Sequence, residues 1–173
     1  MYFNVDATLL NFPVADDSIG LVYAPPKGME ELPDSVKSVI LERMLVNGTE
    51  NEMFKLVPHR IFWDKLSGNL FSISILPNIK ETPDSEPPMN LYTQMLREQK
   101  PAAPVRTAKF LKDGLRMYQY LLQLPQHINF RLFMFSPRGQ FLQLDYIYKK
   151  ATYQNHIEAI ESSIGSIKPN KSN

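Results

Sequence analysis

Residues 104 to 167 contain almost no filler: four alternating runs follow one another and lead into one amphipathic run. Little else in the chain constrains its fold so strongly. Asp113-Gly114 separates the first two runs. This dipeptide is the strongest short signal for a two-residue hairpin turn, because both central residues need positive φ. Ser136-Pro137-Arg138-Gly139 separates the next pair, where proline pre-sets a turn and glycine can take the left-handed position that closes a bulged hairpin. Ile128, Phe130, Leu132 and Met134 share one face of their run, and Asn129, Arg131, Phe133 and Phe135 the other. Leu142, Leu144, Tyr146 and Tyr148 likewise oppose Phe141, Gln143, Asp145 and Ile147. Apolar side chains on both faces predict a sheet covered on both sides. The closing helix opens at Thr152, aligns Tyr153, Ile157, Ile160 and Ile164 at helical spacing, and stops near Gly165.

The first half is less regular. Ser18 to Ala24 reads as a strand that stops at Pro25-Pro26-Lys27-Gly28. A helix follows, capped by Asp34, with Val36, Val39, Ile40 and Met44 on one face and Asn47-Gly48 as its stop. Asn47-Gly48-Thr49 also fits the glycosylation acceptor pattern, though a helix stop explains it more simply. Two short strands, Met53–Val57 and Arg60–Asp64, are expected around Pro58, and a longer one over Asn69–Leu76. Residues 77 to 104 break the rhythm with Pro77, Pro83, Pro87, Pro88, Pro101 and Pro104 around a short helix near Asn90 to Gln99. That stretch reads as an excursion over the surface of one domain spanning 1–173.

Composition narrows the chemistry. The 173 residues carry 19 basic and 18 acidic side chains, a formal charge of +1, which lacks the basic excess of a dedicated nucleic-acid binder. There is no cysteine, so disulfides, thiolate metal sites and cysteine nucleophiles are excluded. No apolar run approaches the roughly 20 residues of a membrane-spanning helix. The N-terminus has neither the basic region nor the apolar core of a signal peptide, so a native start at Met1 would mean a cytoplasmic protein. With a signal already removed, the bacterial envelope fits equally well. His59, His127 and His156 fall in different elements without metal-ligand spacing, so no metal or other cofactor is expected. No nucleophile elbow or phosphate-cradling glycine loop is present. The pairs Asp16-Asp17, Glu30-Glu31 and Asp84/Glu86 sit in stretches that read as solvated loops. The expectation is therefore no catalytic residue. The remaining enzyme reading would need His59, Arg60 and Asp64 to converge.

Aromatic residues are in mild excess. Tyr118 and Tyr120 share a face with Arg116, and Phe133 and Phe135 share theirs with Arg131. Such interleaving can stack nucleic-acid bases on an open sheet, but it more often marks a half-buried sheet face under a helix. Trp63 too reads as packing before platform. These five aromatics, Trp63, Tyr118, Tyr120, Phe133 and Phe135, are the candidate binding residues.

A strand ending in Tyr23-Ala24-Pro25-Pro26-Lys27-Gly28-Met29, then a helix, a meander and a closing helix with Ile160-Glu161-Ser162-Ser163-Ile164, resembles the PsbP/DcrB-like superfamily with its Mog/PsbP fold. Met29 stands where that family usually has tryptophan. The resemblance implies an α+β fold, an antiparallel sheet of about six strands flanked by helices as an α/β/α sandwich. It also implies a non-enzymatic role, since members serve as photosystem assembly subunits, bacterial envelope lipoproteins, Ran-binding factors and chaperones for secreted toxins. The expected function is a protein-binding or assembly module, of an envelope, secretion or chaperone kind. The alternative is a small-molecule or lipid-binding domain with a pocket between sheet and helix.

Overall fold

A computed structural model describes residues 3–47, 52–80, 89–99 and 104–171, with only the backbone described over 41–47. The strands are β1 (Val14–Asp16), β2 (Leu21–Tyr23), β3 (Glu30–Glu31), β4 (Val57–Trp63), β5 (Leu70–Lys80), β6 (Val105–Lys112), β7 (Leu115–Gln123), β8 (His127–Phe135), β9 (Gln140–Lys149) and β10 (Lys168–Pro169). The helices are α1 (Asp34–Asn47), α2 (Met89–Gln99) and α3 (Ile157–Ser166). The main sheet is antiparallel and seven-stranded, in the order β3-β4-β5-β9-β8-β7-β6. It is thus larger than the expected six. The early strand β2 does not join it, pairing instead with β1 and β10 in a separate three-stranded sheet.

The turns behave as their chemistry dictates. Asp113 and Gly114 have φ of 49° and 82°, and Lys112 pairs with Leu115, giving the two-residue hairpin that joins β6 to β7. Gly139, at φ 75°, donates its N–H to Ser136 O at 2.9 Å and closes the β8–β9 turn. These local choices set the register of β7, β8 and β9, and the register sorts the side chains into two cores. On one face α3 and β2 cover the sheet, with Ile160, Ile164, Leu21 and Tyr23 against Phe71, Leu132, Leu144 and Tyr146. The rings of Phe71 and Tyr146 stack there at 4.6 Å. On the other face α2 lays Met89, Tyr92 and Leu96 over Tyr118, Tyr120, Phe133 and Phe141. Both faces of the sheet are therefore dressed, as its two-sided apolar pattern requires.

Several local expectations change. Residues 52–54 form a 3-10 turn rather than a strand, and β4 runs continuously through Pro58. Proline is tolerated because β4's outer neighbour β3 pairs only with Phe62 and Trp63, leaving Pro58 at what is locally a sheet edge. β5 continues through Pro77 to Lys80, and α2 closes the second core with Met89, Tyr92 and Leu96 while its outer face stays exposed. Residues 81–88 and 100–103 of that stretch lie outside the described residues, as do Gly48 and Thr49. In α1, Val36 and Val39 are 42% and 45% exposed. The sheet face is already taken by α3, and α1 lies against the rim at β4, with Lys37 pairing to Glu31 of β3 at 3.3 Å and to Asp34 of its own first turn at 2.7 Å.

α3 ends at Ser166, one residue past Gly165, close to the expected stop. A Cβ on Gly165 would lie 2.7 Å from both Phe3 Cβ and Val5 Cγ2. Glycine is needed there because the N-terminal segment crosses α3 in close contact. The serines around it tie α3 to two segments: Ser162 Oγ accepts the Asp6 N–H of the crossing at 3.1 Å, and Ser166 Oγ accepts the Ala24 N–H just past β2 at 2.8 Å. Ser163 Oγ donates to Ala24 O at 2.7 Å and lies 3.0 Å from Tyr146 Oη. Gly→Ala in a helix ordinarily stabilises by about 1 kcal/mol. Gly165→Ala should instead destabilise by about 1–3 kcal/mol through overpacking. Urea denaturation followed by Trp63 fluorescence reads the sign directly, and a stabilised variant would show that the crossing is not tight.

Candidate functional site

Two polar clusters and one bare edge stand out from this framework. β1 turns Asp16 inward, where it is 3% exposed, against the expectation of a solvated acid. Adjacent strand residues normally point to opposite faces, but the register of β4 slips between Pro58 and Arg60. His59 and Arg60 therefore reach the same carboxylate. His59 Nε2 lies 2.8 Å from Asp16 Oδ2, and Arg60 Nε donates to that oxygen at 3.2 Å. Ser18 Oγ donates to Asp16 Oδ1 at 2.6 Å, and Arg60 Nη1 continues to Glu31 at 2.8 Å. Burial would raise the Asp16 carboxyl, but the hydrogen bonds from Ser18, His59 and Arg60 and the charge of His59 outweigh it and hold it at about 2. Tyr23, 3.5 Å from Asp16, is pushed up by burial and then by that negative charge.

Ser18, His59 and Asp16 are the residue types of a hydrolytic triad in the wrong arrangement. A triad places the carboxylate on one ring nitrogen and the hydroxyl on the other. Here Nε2 faces both Asp16, at 2.8 Å, and Ser18 Oγ, at 3.3 Å. The cluster works as a clasp that fastens the three-stranded sheet to β4. Asp64, which the enzyme reading needs beside His59 and Arg60, is elsewhere: it accepts from the Leu66 N–H at 2.9 Å and from Ser67, shaping the β4–β5 turn.

The second cluster lies under α2. Arg131 of β8 and Asp145 of β9 face each other across the ladder. Arg131 donates through Nε at 2.6 Å and Nη2 at 3.2 Å, a two-pronged contact. Gln143 Nε2 donates to Asp145 Oδ2 at 2.5 Å, and Arg131 Nη1 donates to Tyr92 Oη. The network pins α2 to the sheet. Among the described residues no three histidine or acidic side chains come together as metal ligands would.

Of the candidate aromatics, Tyr118, Tyr120 and Phe133 are buried beneath α2, and Phe135 is half-buried against Phe141 at 4.8 Å. No base could stack on rings so covered. Trp63 is 37% exposed at the end of β4, opposite Leu70. Two hollows open on the rim. One, about 540 Å³, is lined by Gln126, His127, Lys149 and Lys150. The other, about 620 Å³, lies where the β5–β9 ladder parts between Ile75 and Lys80, beside Leu76, Ile79 and Phe141.

The bare edge is β6. Among the described residues its strand partner is β7 alone, and Arg106, Thr107, Ala108, Lys109 and Leu111 are exposed along it. Arg116 of β7 is exposed beside Leu111. Nothing in the sequence said that this strand would lie outermost.

A seven-stranded antiparallel sheet dressed by α3 on one face and α2 on the other, with a clasped small sheet, is a PsbP-like α+β fold. The solution structure of cyanobacterial PsbP (CyanoP) from Synechocystis sp. PCC 6803 is similar to it, with a TM-score of 0.60 and 12% sequence identity over 96% of this chain and 95% of that one. No protein-family model and no curated protein matches the chain. No helix among the described residues is long and apolar enough to cross a membrane.

Proposed function

We propose that this chain is a non-catalytic protein-binding or assembly module. The observation that carries the reading is the eight-residue β6, an exposed edge on a sheet whose two faces are already covered. A dressed sheet has its edges left for recognition, and an open edge strand is a template for another chain. The likeness to a cyanobacterial protein favours a bacterial setting. An envelope or secretion factor that recognises an ordered or extended partner fits better than a chaperone for unfolded chains. Such a chaperone needs a contiguous apolar groove, whereas among the described residues the most exposed apolar side chains, Phe12, Leu66 and Leu111, sit on separate elements. Capture from source-cell extract, followed by reconstitution with the purified partner, tests the module reading. A stoichiometric complex that re-forms from two purified components is expected, and failure to obtain any would overturn it.

The parted β5–β9 ladder favours a second reading, a small-molecule or lipid-binding domain. Its hollow is largely apolar, and the buried Gln140 Oε1 beside it has no hydrogen-bond partner among the described residues. Saturable binding of a fluorescent fatty acid, abolished by Ile79→Trp, is the expected result on that reading. Binding unaffected by the substitution would remove it.

A further inference from the structure

We propose that β6 takes an extended acidic segment of a partner protein by strand addition, an inference that rests on the protein-binding reading and names the partner's chemistry. The geometry begins at the turn. In a two-residue hairpin the flanking residues form the hydrogen-bonded pair, and hydrogen-bonded pairs then alternate along the ladder. Lys112 pairs with Leu115, so Lys112, Phe110, Ala108 and Arg106 turn their backbone groups toward β7. Val105, Thr107, Lys109 and Leu111 turn theirs to the outer edge. The strand is held ready for this role. Phe3 packs on Phe110 at 5.4 Å, and Lys112 Nζ donates to Ile167 O at 2.6 Å. A pre-ordered edge loses little freedom when another strand docks.

The side chains choose the occupant. Arg106 of β6 and Arg116 of β7, beside Leu111, are exposed cations and β6 itself carries no acidic residue, while Lys112 is already engaged by Asp113 at 2.6 Å. Cationic side chains on an edge deter uncharged and basic strands, which is how exposed edges avoid indiscriminate pairing. The same cations select an acidic strand, since opposite charges across a pair are favourable and like charges are not. A second copy of β6 would set cations against cations. The opposite edge, β3, is acidic but only two residues long, and Glu30 and Glu31 are already paired with Lys65 at 2.6 Å and Arg60 at 2.8 Å. Neither edge of a second copy therefore offers a suitable strand.

The test uses the purified full chain and two probes, an octapeptide of alternating glutamate and valine and its lysine–valine counterpart. The acidic peptide should shift the β6 backbone amides in NMR spectra, and raising the salt should weaken its binding. Thr107→Pro removes an outward N–H and places a ring in the path of an added strand while leaving the β7 ladder intact. It should weaken binding at least about tenfold. If that variant does not fold, Arg106→Glu with Arg116→Glu, both on exposed side chains, should produce a comparable loss. Shifts confined to another surface, equal binding of the lysine–valine peptide, or self-association through β6 would each overturn the proposal. The capture experiment judges the module reading independently, because a natural partner could still bind elsewhere when the acidic peptide does not bind β6.

Discussion

Arg131→Met should destabilise the protein by about 3–5 kcal/mol, the largest effect expected of any single side chain outside the apolar core. Asp145 is 6% exposed and faces Arg131 across the β8–β9 ladder. Without the guanidinium, a buried carboxylate retains only Gln143 as a donor among the described residues, and Tyr92 loses the contact that ties α2 to the sheet. For a chain of this length the loss corresponds to a fall in Tm of roughly 6–20 °C. Restoring neutrality tests the cause: Arg131→Met with Asp145→Leu should recover most of the stability, because a packed apolar pair replaces a buried ion pair at little net cost. Thermal unfolding of the two variants beside the parent decides the matter. A double variant as unstable as the single one would mean that the pair's shape, not its charge, holds α2 in place.

The clasp at Asp16 should make stability depend on acid. Its carboxyl lies at about 2 in the folded chain against 3.8 for the free group. The unfolded chain therefore binds the proton more readily between those values, and stability rises with pH there. The contribution, about 2 kcal/mol, is fully present above roughly pH 5 and drains away as pH falls toward 2. Asp16→Asn should forfeit it at pH 7, and the gap between parent and variant should close as the medium is acidified. Urea denaturation at pH 7 and pH 2.5 measures both gaps. A gap of equal size at both values would show that Asp16 does not titrate within the cluster.

These two networks also show where sequence reading succeeds and where it stops. The Asp113-Gly114 turn, the two-faced patterns of β8 and β9 and the Tyr92–Leu96 stripe of α2 were legible because each depends on a few neighbouring residues. Turn chemistry demands positive φ at set positions, and side-chain alternation follows from the pleat itself. Even the burial of Tyr118, Tyr120 and Phe133 under a helix could be read from apolar residues on both faces. Reading Asp16 as solvated failed because its partners His59 and Arg60 lie more than 40 positions away and reach it only through a register slip in β4. The steric need for glycine at 165 was illegible for the same reason, since it is imposed by Phe3 and Val5 from the far end of the chain.

The α+β class, the hairpins and the assignment of side chains to faces were thus determined by the sequence alone, through local sterics and period. Which strand lies outermost, which acid meets which base, and whether a proline-framed helix roams the surface or closes the core were decided only by the tertiary structure. Those outcomes depend on long-range pairing, and the physical reason is that a strand carries the same alternation at an edge as at the centre of a sheet. Only its neighbours determine which of its backbone groups remain available to a partner.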